Sequence, residues 1–211
     1  MKRTLIIGAS GQIGKQLTQM LLDGSNVVTA MVRDRKKLAD LSGDTIKIVE
    51  ADLTKDFGHV FEDCSQVIFV AGSGGDTSTE KTVTIDLWGA RKAIDYAKQY
   101  HVEHFLMVSS IGADAPSEGP ANMQPYLVAK HIADEHLMRS GLRYTILRPG
   151  SLTNDQAKGK FSSSRPTESD DAVITRADVA SAFACLANSN IDKNRTIELF
   201  NGDESLTSAL T

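Results

Sequence analysis

Directly after the first apolar run, Leu5–Ile7, stands Gly8-Ala9-Ser10-Gly11-Gln12-Ile13-Gly14, and a helical spacing of apolar residues starts inside it. A strand that passes into a helix through glycines over so few residues has few options. The chain must turn tightly, hold the helix close to the strand and present backbone N–H groups at the helix N-terminus. Those N–H groups and the positive end of the helix dipole receive anions, and a backbone without Cβ atoms lets a pyrophosphate come close. Glycines alone are a weak signal in a chain that has 16 of them. Their place between the first strand and the first helix assigns the loop to a dinucleotide, with Gly8, Ser10, Gly11, Gln12, Ile13 and Gly14 as cofactor-binding candidates.

The same order recurs along the chain. Apolar runs at Val27–Val32, Ile46–Val49, Val67–Val70, Phe105–Val108, Tyr144–Leu147 and Thr196–Phe200 alternate with helical patterns at Gln12–Asp23, Arg35–Leu41, Thr79–Tyr100, Met123–Arg139 and Arg176–Asn188. Alternation of this kind predicts an α/β fold: a doubly wound parallel sheet (Rossmann fold) of about seven strands, order 3-2-1-4-5-6-7, with helices on both faces. Thr175 reads as an N-cap with Asp178 in the first turn behind it, and Gly141 as a helix stop. With 211 residues the chain makes one full core and is short for two, so residues 1–211 are expected to form one domain. Its substrate loops are expected at 72–79, 111–125 and 153–171, each following a predicted strand, where open α/β sheets hold their ligands.

Composition narrows the partners. Lys and Arg number 23 against 27 Asp and Glu, a net charge of −4, which argues against nucleic acid. The first apolar run is too short for a signal peptide, and no apolar stretch of about 18 residues is present, so a cytoplasmic protein without a membrane partner is expected. Cys64 and Cys185 have no paired spacing, and the histidines meet no carboxylate at ligand spacing, so no metal is expected. A monomer or homodimer acting on a small molecule fits these bounds.

The second strand ends in Met31-Val32-Arg33-Asp34-Arg35-Lys36-Lys37. At that strand end a carboxylate receives the ribose hydroxyls of NAD, whereas an arginine accommodates the 2′-phosphate of NADP. Arg33 can grip a phosphate through two parallel hydrogen bonds, and the basic residues after it add positive field. NADP(H) is therefore the expected cofactor; the competing reading has Asp34 hold the ribose of NAD(H).

Further segments repeat a pattern. Glu50-Ala51-Asp52-Leu53 follows the third strand, Phe69-Val70-Ala71-Gly72 the fourth and Met107-Val108-Ser109-Ser110-Ile111-Gly112 the fifth. Tyr126-Leu127-Val128-Ala129-Lys130 lies in the next helix, Leu147-Arg148-Pro149-Gly150 ends the sixth strand, and Thr175-Arg176-Ala177-Asp178-Val179-Ala180 opens the last long helix. Together with the spacing Gly-x-x-Gly-x-x-Gly, these segments resemble the extended and atypical short-chain dehydrogenase/reductases over nearly the whole chain. The resemblance is greatest to the small NAD(P)H-binding, NmrA-like branch, which includes flavin reductase-like proteins and proteins loosely labelled sugar epimerases. It implies that Asp52 contacts the adenine with Leu53 beside it, and that Ala71, Gly72, Ser109 and Pro149 line the cofactor.

Residues four apart share a helix face, so Tyr126 and Lys130 can project together into the crevice. An unperturbed tyrosine has a pKa of about 10, and a neighbouring ammonium favours the phenolate. In the mechanism that the resemblance implies, Tyr126 exchanges the proton as hydride moves, Lys130 holds the nicotinamide ribose, and Ser110 or Ser109 hydrogen-bonds the substrate oxygen. The expected activity is NADP(H)-dependent transfer of hydride to a small carbonyl, quinone or flavin acceptor. Alternatives are an NmrA-like redox sensor in which the pair is idle, and, more weakly, a sugar-nucleotide epimerase, for which the stretch after Gly150 is short. Asp86 departs from the pattern, since extended members have an Asn there. No Gly-x-Ser-x-Gly elbow supports a hydrolase. Arg148 fits either a substrate anion or a structural ion pair.

Overall fold

The computed structural model describes residues 3–74, 78–189 and 194–211; residues 75–77 of the expected loop at 72–79 lie outside the described residues. Seven strands run parallel: β1 Arg3–Ile7, β2 Val27–Val32, β3 Ile46–Glu50, β4 Gln66–Phe69, β5 His104–Val108, β6 Tyr144–Pro149 and, after three short strands, β10 Arg195–Asn201. Their spatial order, β3-β2-β1-β4-β5-β6-β10, is the predicted one. The sheet has an eighth strand, because β8 (Phe161–Ser162) pairs antiparallel with β10 at the edge. That strand lies inside the polar run read as a loop at 153–171, and two residues of pairing leave no periodicity to read. Beside it, β7 (Ser151–Thr153) and β9 (Val173–Thr175) form a small parallel pair of their own.

Alternation along the strands divides the core in two. Ile6, Ile68, Leu106 and Leu147 face one side, where helices α1 (Gln12–Asp23) and α5 (Arg176–Asn188) cover them with Leu17, Leu21, Val179 and Phe183. Leu5, Ile7, Val67, Phe69, Phe105 and Ile146 face the other, under α3 (Ala90–Gln99) and α4 (Gln124–Met138). Strands covered on both faces read as continuous apolar runs, which is why the central strands were legible.

Two helices differ from expectation. The pattern at Arg35–Leu41 is a single 3-10 turn, Arg35–Leu38, started by the Asp34 carboxylate, which accepts the Lys36 N–H at 3.0 Å. The pattern at Thr79–Tyr100 breaks into a first turn α2 (Thr79–Lys81), a π-helical segment Thr82–Gly89, and α3. The wider turn buries Thr82, Asp86 and Gly89 together, and π-helical turns of this sort concentrate at functional sites. A short last helix, α6 (Leu206–Leu210), follows β10. Among the described residues no helix is long and apolar enough to cross a membrane.

The run at 153–171 is pinned from below. Thr175 caps α5, its Oγ1 accepting the Asp178 N–H at 3.0 Å and donating to the Asp178 carboxylate at 3.0 Å. Asp178, 1% exposed, also accepts the N–H groups of Lys158 and Gly159, both at 3.0 Å, and the Asn201 amide at 2.8 Å. Burial works to raise its pKa, but these hydrogen bonds outweigh it and hold the carboxyl below the usual range.

Candidate active site

The carboxyl ends of the parallel strands open into a cleft of about 1340 Å³. It is lined by Gly8 and by Ser10 to Ile13 of the loop, then by Arg33, Asp52, Leu53, Ala71, Gly72, Ser109, Ser110, Tyr126, Lys130 and Pro149, whereas Gly14, Asp34 and Arg148 do not line it. Ligand pockets are commonly about 300–1,000 Å³, so this cleft has the room for a dinucleotide and a second molecule.

The glycine loop shows why its residue types are required. Gly8 has φ +93°, and a Cβ there would lie 2.7 Å from the backbone of Ala71. A Cβ on Gly14 would lie 2.1 Å from the Gly8 carbonyl oxygen, so this glycine packs α1 against β1 and never faces the cleft. Gly11 stands at the N-cap of α1 in extended backbone, with no side chain capping the helix and no acidic residue in its first turn. The first-turn N–H groups and the dipole are therefore left to a ligand anion. These features fit a dinucleotide pyrophosphate: a close backbone, an uncapped helix end and no carboxylate to repel it.

At the end of β2, Arg33 is exposed and lines the cleft with Lys37. Asp34 does not line it, its carboxylate being engaged in capping the 3-10 turn. Asp52 caps a turn of its own, accepting the Thr54 N–H at 2.8 Å and hydroxyl at 2.9 Å; these bonds, with Arg33 and Lys55 nearby, hold its carboxyl below the ordinary range.

Tyr126 and Lys130 lie one turn apart in α4 and meet in the cleft, the Lys130 ammonium 5.6 Å from the Tyr126 ring centre. Lys130 is 3% exposed; its Nζ contacts the Asp86 carboxylate at 3.1 Å and donates to the Val108 carbonyl at 3.3 Å. Burial alone would push this lysine down, but Tyr126 when ionised and Asp86 outweigh it, and the group is held above its ordinary value. Asp86, 1% exposed on the π-helical turn, also accepts the Ser73 N–H at 3.0 Å. The position where the family pattern has an amide thus supplies a carboxylate that neutralises the ammonium. A Cβ on Gly72 would lie 3.2 Å from that carboxylate, so a small residue there makes space for the pair.

The serines divide. Ser110 is half-buried at the cleft and donates to the Ile111 carbonyl at 3.0 Å. Ser109, 3% exposed, donates to Asp134 at 2.9 Å, so its hydroxyl serves a buried network below the cleft. Asp134 also receives Arg148, through Nε and Nη2 at 3.0 Å each. Arg148 therefore makes a structural ion pair. Burial raises Asp134 above the usual carboxylate range although Ser109 and Arg148 oppose it, and its Oδ1 has no hydrogen-bond partner among the described residues.

Sequence reasoning missed the partners on the far side. Asp86 had a signal, the departure from the family pattern. Arg165 and Arg176 line the cleft as well, but Arg165 sits in an aperiodic polar run and Arg176 read as a helix residue. Arg165 bridges Asp114 and Glu198, joining the 111–125 segment to the last strand. Among the described residues no group of three His, Cys, Asp or Glu side chains is placed to hold a metal.

Comparison with known proteins gives the family. The family model for NAD(P)H-binding proteins matches residues 8–190. The chain is 36% identical to the uncharacterized sugar epimerase YhfK of Bacillus subtilis, over 99% of this chain and 98% of that protein. A solved structure from Bacillus halodurans, carrying the name NAD-dependent epimerase/dehydratase, is 40% identical over 100% of this chain and 99% of its own, with a TM-score of 0.93. An oxidoreductase of Lactococcus lactis is 27% identical, covers 99% and 94% of the two chains, and superposes with a TM-score of 0.87. The chain belongs to the NAD(P)H-binding family, which is consistent with the NmrA-like branch of the atypical short-chain dehydrogenase/reductases that its motifs resemble.

Proposed function

We propose that the protein is an NADPH-dependent reductase that passes hydride to a small carbonyl, quinone or flavin acceptor, with Tyr126 supplying the proton. The observation that carries this reading is the Tyr126–Lys130 pair, placed in the same cleft as the open end of α1. A protein that only sensed the nucleotide would use Lys130 to hold the ribose but would have no use for a proton donor such as Tyr126 beside it. The choice of NADPH rests on Arg33, which lines the cleft, and on Asp34, whose carboxylate is engaged elsewhere.

The cofactor supplies two electrons as a hydride. The Tyr126 hydroxyl gives one proton to the acceptor oxygen or nitrogen, which balances the two-electron reduction, and the phenolate is reprotonated from water. Lys130 sets an ammonium beside the Tyr126 ring, and Asp86 compensates its charge. Asp86 and the Val108 carbonyl fix the ammonium in place. Ser110 can turn from its backbone acceptor to the substrate oxygen.

The test is NADPH oxidation against a panel of quinones, flavins and small aldehydes or ketones, with Tyr126→Phe alongside. A fall of at least tenfold in kcat for the variant supports Tyr126 as the acid. Tight NADPH binding without turnover of any acceptor would favour the sensor reading. Conversion of a sugar nucleotide with no net loss of NADPH would favour the epimerase that two relatives are named for, because an epimerase returns its hydride.

A further inference from the structure

Beyond Pro149 the cleft continues past Ser151 and Leu152 to the strap that includes Arg165 and to Arg176 at the start of α5. The two arginines there are not equivalent. Arg165 is neutralised by Glu198 and Asp114. Arg176 is half-buried, and its Nη1 is held by two neutral oxygens, the Leu152 carbonyl at 3.1 Å and the Asn154 amide oxygen at 2.9 Å. It has no carboxylate partner among the described residues. A guanidinium fixed by one edge to neutral acceptors keeps its full charge and leaves Nε and Nη2 as donors. Partly buried charge without a counter-charge is unfavourable, and a ligand anion would supply the missing one.

The cofactor's own anions have other places. The pyrophosphate fits the open end of α1, and a 2′-phosphate fits Arg33 and Lys37. Of the two carboxylates that line the cleft among the described residues, Asp52 belongs to the adenine end and Asp86 is paired with Lys130. Arg176 is tied to Leu152, three residues past Pro149, on the order of 10 Å of extended chain. Tyr126 and Arg176 line the same cleft, so one molecule can place a reducible ring at the first and a charged tail at the second.

We infer that the acceptor carries an anionic tail, a carboxylate, phosphate or sulfonate, and that Arg176 is the residue that binds it. This rests on the reductase reading for the acceptor but not for the anion, and the experiment separates the two. Matched acceptors that differ only in the tail are compared: FMN with riboflavin, which share the flavin ring and differ in the phosphate at the end of the ribityl chain, at saturating NADPH. The wild type is expected to favour the charged member of a pair at least tenfold in kcat/KM, mainly through KM, with the preference shrinking as salt is raised. Arg176→Gln, which keeps a donor for the Leu152 carbonyl, should cut the charged-to-uncharged ratio at least tenfold. Arg176→Lys should keep part of it, since the charge remains and the fork is lost. Fluorescence titration of FMN and riboflavin into the NADP⁺-loaded protein reads the same preference without turnover. Selective binding of FMN with no turnover would leave the anchor standing and sink the reductase. Turnover with no preference in the wild type, an unchanged ratio in Arg176→Gln, or a variant whose defect lies in the KM for NADPH would overturn the anchor.

Discussion

Helices α1 and α5 pack side by side on one face of the sheet, and their N-termini are built in opposite ways. The end of α1 has a glycine cap, no side-chain hydrogen bond and no acid in its first turn. The end of α5 has Thr175 as cap and Asp178 behind it, with the carboxylate spent on four groups from three parts of the chain. Both ends offer the same unsatisfied N–H groups and the same dipole. What differs is whether the chain itself supplies the acceptor. Where it does, the helix end becomes a structural joint; where it withholds one, the end is reserved for a ligand.

Substitutions can break or sharpen that contrast. The largest effect is expected from Gly11→Val at the open end. A Cβ there already lies 3.2 Å from the Gly8 carbonyl oxygen, and a branched side chain would occupy the space of the pyrophosphate. Binding of either NADPH or NADH by calorimetry should be abolished while the melting temperature of the ligand-free protein stays near that of the wild type, because Gly11 has extended backbone any residue can adopt. Unchanged affinity would mean that the loop does not meet phosphate.

At the closed end, Asp178→Ala removes a buried carboxylate and takes the acceptor from the N–H groups of Lys158 and Gly159, the Asn201 amide and the buried Thr175 hydroxyl, a loss of about 3 kcal/mol in unfolding free energy. Thermal unfolding should fall by roughly 6–12 °C at this chain length. Because the folded pKa of Asp178 lies below its ordinary value, its contribution is complete above the usual carboxylate range and is lost as pH falls through the depressed value. The variant should therefore show a flatter loss of stability with acid than the wild type.

Arg33→Ala extends the open end to the strand beside it. NADPH affinity should fall by about 1.5 to 3 kcal/mol more than NADH affinity, the scale of a charged hydrogen-bonded contact; equal losses would reject the assignment of Arg33 to a 2′-phosphate. The smallest effect belongs to Thr175→Ala, about 1 kcal/mol for loss of the cap, read by denaturant unfolding. A change in cofactor affinity from that variant would blur the contrast between the two ends.

The two helix ends also differ in how they could be read. The glycine loop and the Thr175 cap were both legible, since each is a local pattern that chemistry restricts to few residue types. The helices Gln12–Asp23 and Arg176–Asn188 and the strand Val27–Val32 have the bounds that their periodicity predicts. The bonds that Asp178 makes to Lys158, Gly159 and Asn201 were not legible, because their donors lie about twenty residues away on either side. The same holds for β8, two residues long, which exists only because β10 is there to pair with it. Asp86 stood out as a departure from a family pattern, but its pairing with Lys130 needed the π-helical turn that brings it to the cleft floor.

By itself the sequence determined the alternating architecture, the glycine loop and the Tyr126–Lys130 spacing. Each of these follows from period, from backbone freedom or from a one-turn helix separation, and none depends on distant neighbours. Only the tertiary structure decided which charges are answered and which are not. It set Asp86 against Lys130, Asp134 against Arg148, and Glu198 with Asp114 against Arg165, and among the described residues it left Arg176 with neutral oxygens alone. Charge compensation acts over a few ångströms between segments far apart in the chain, and only folding brings those segments together.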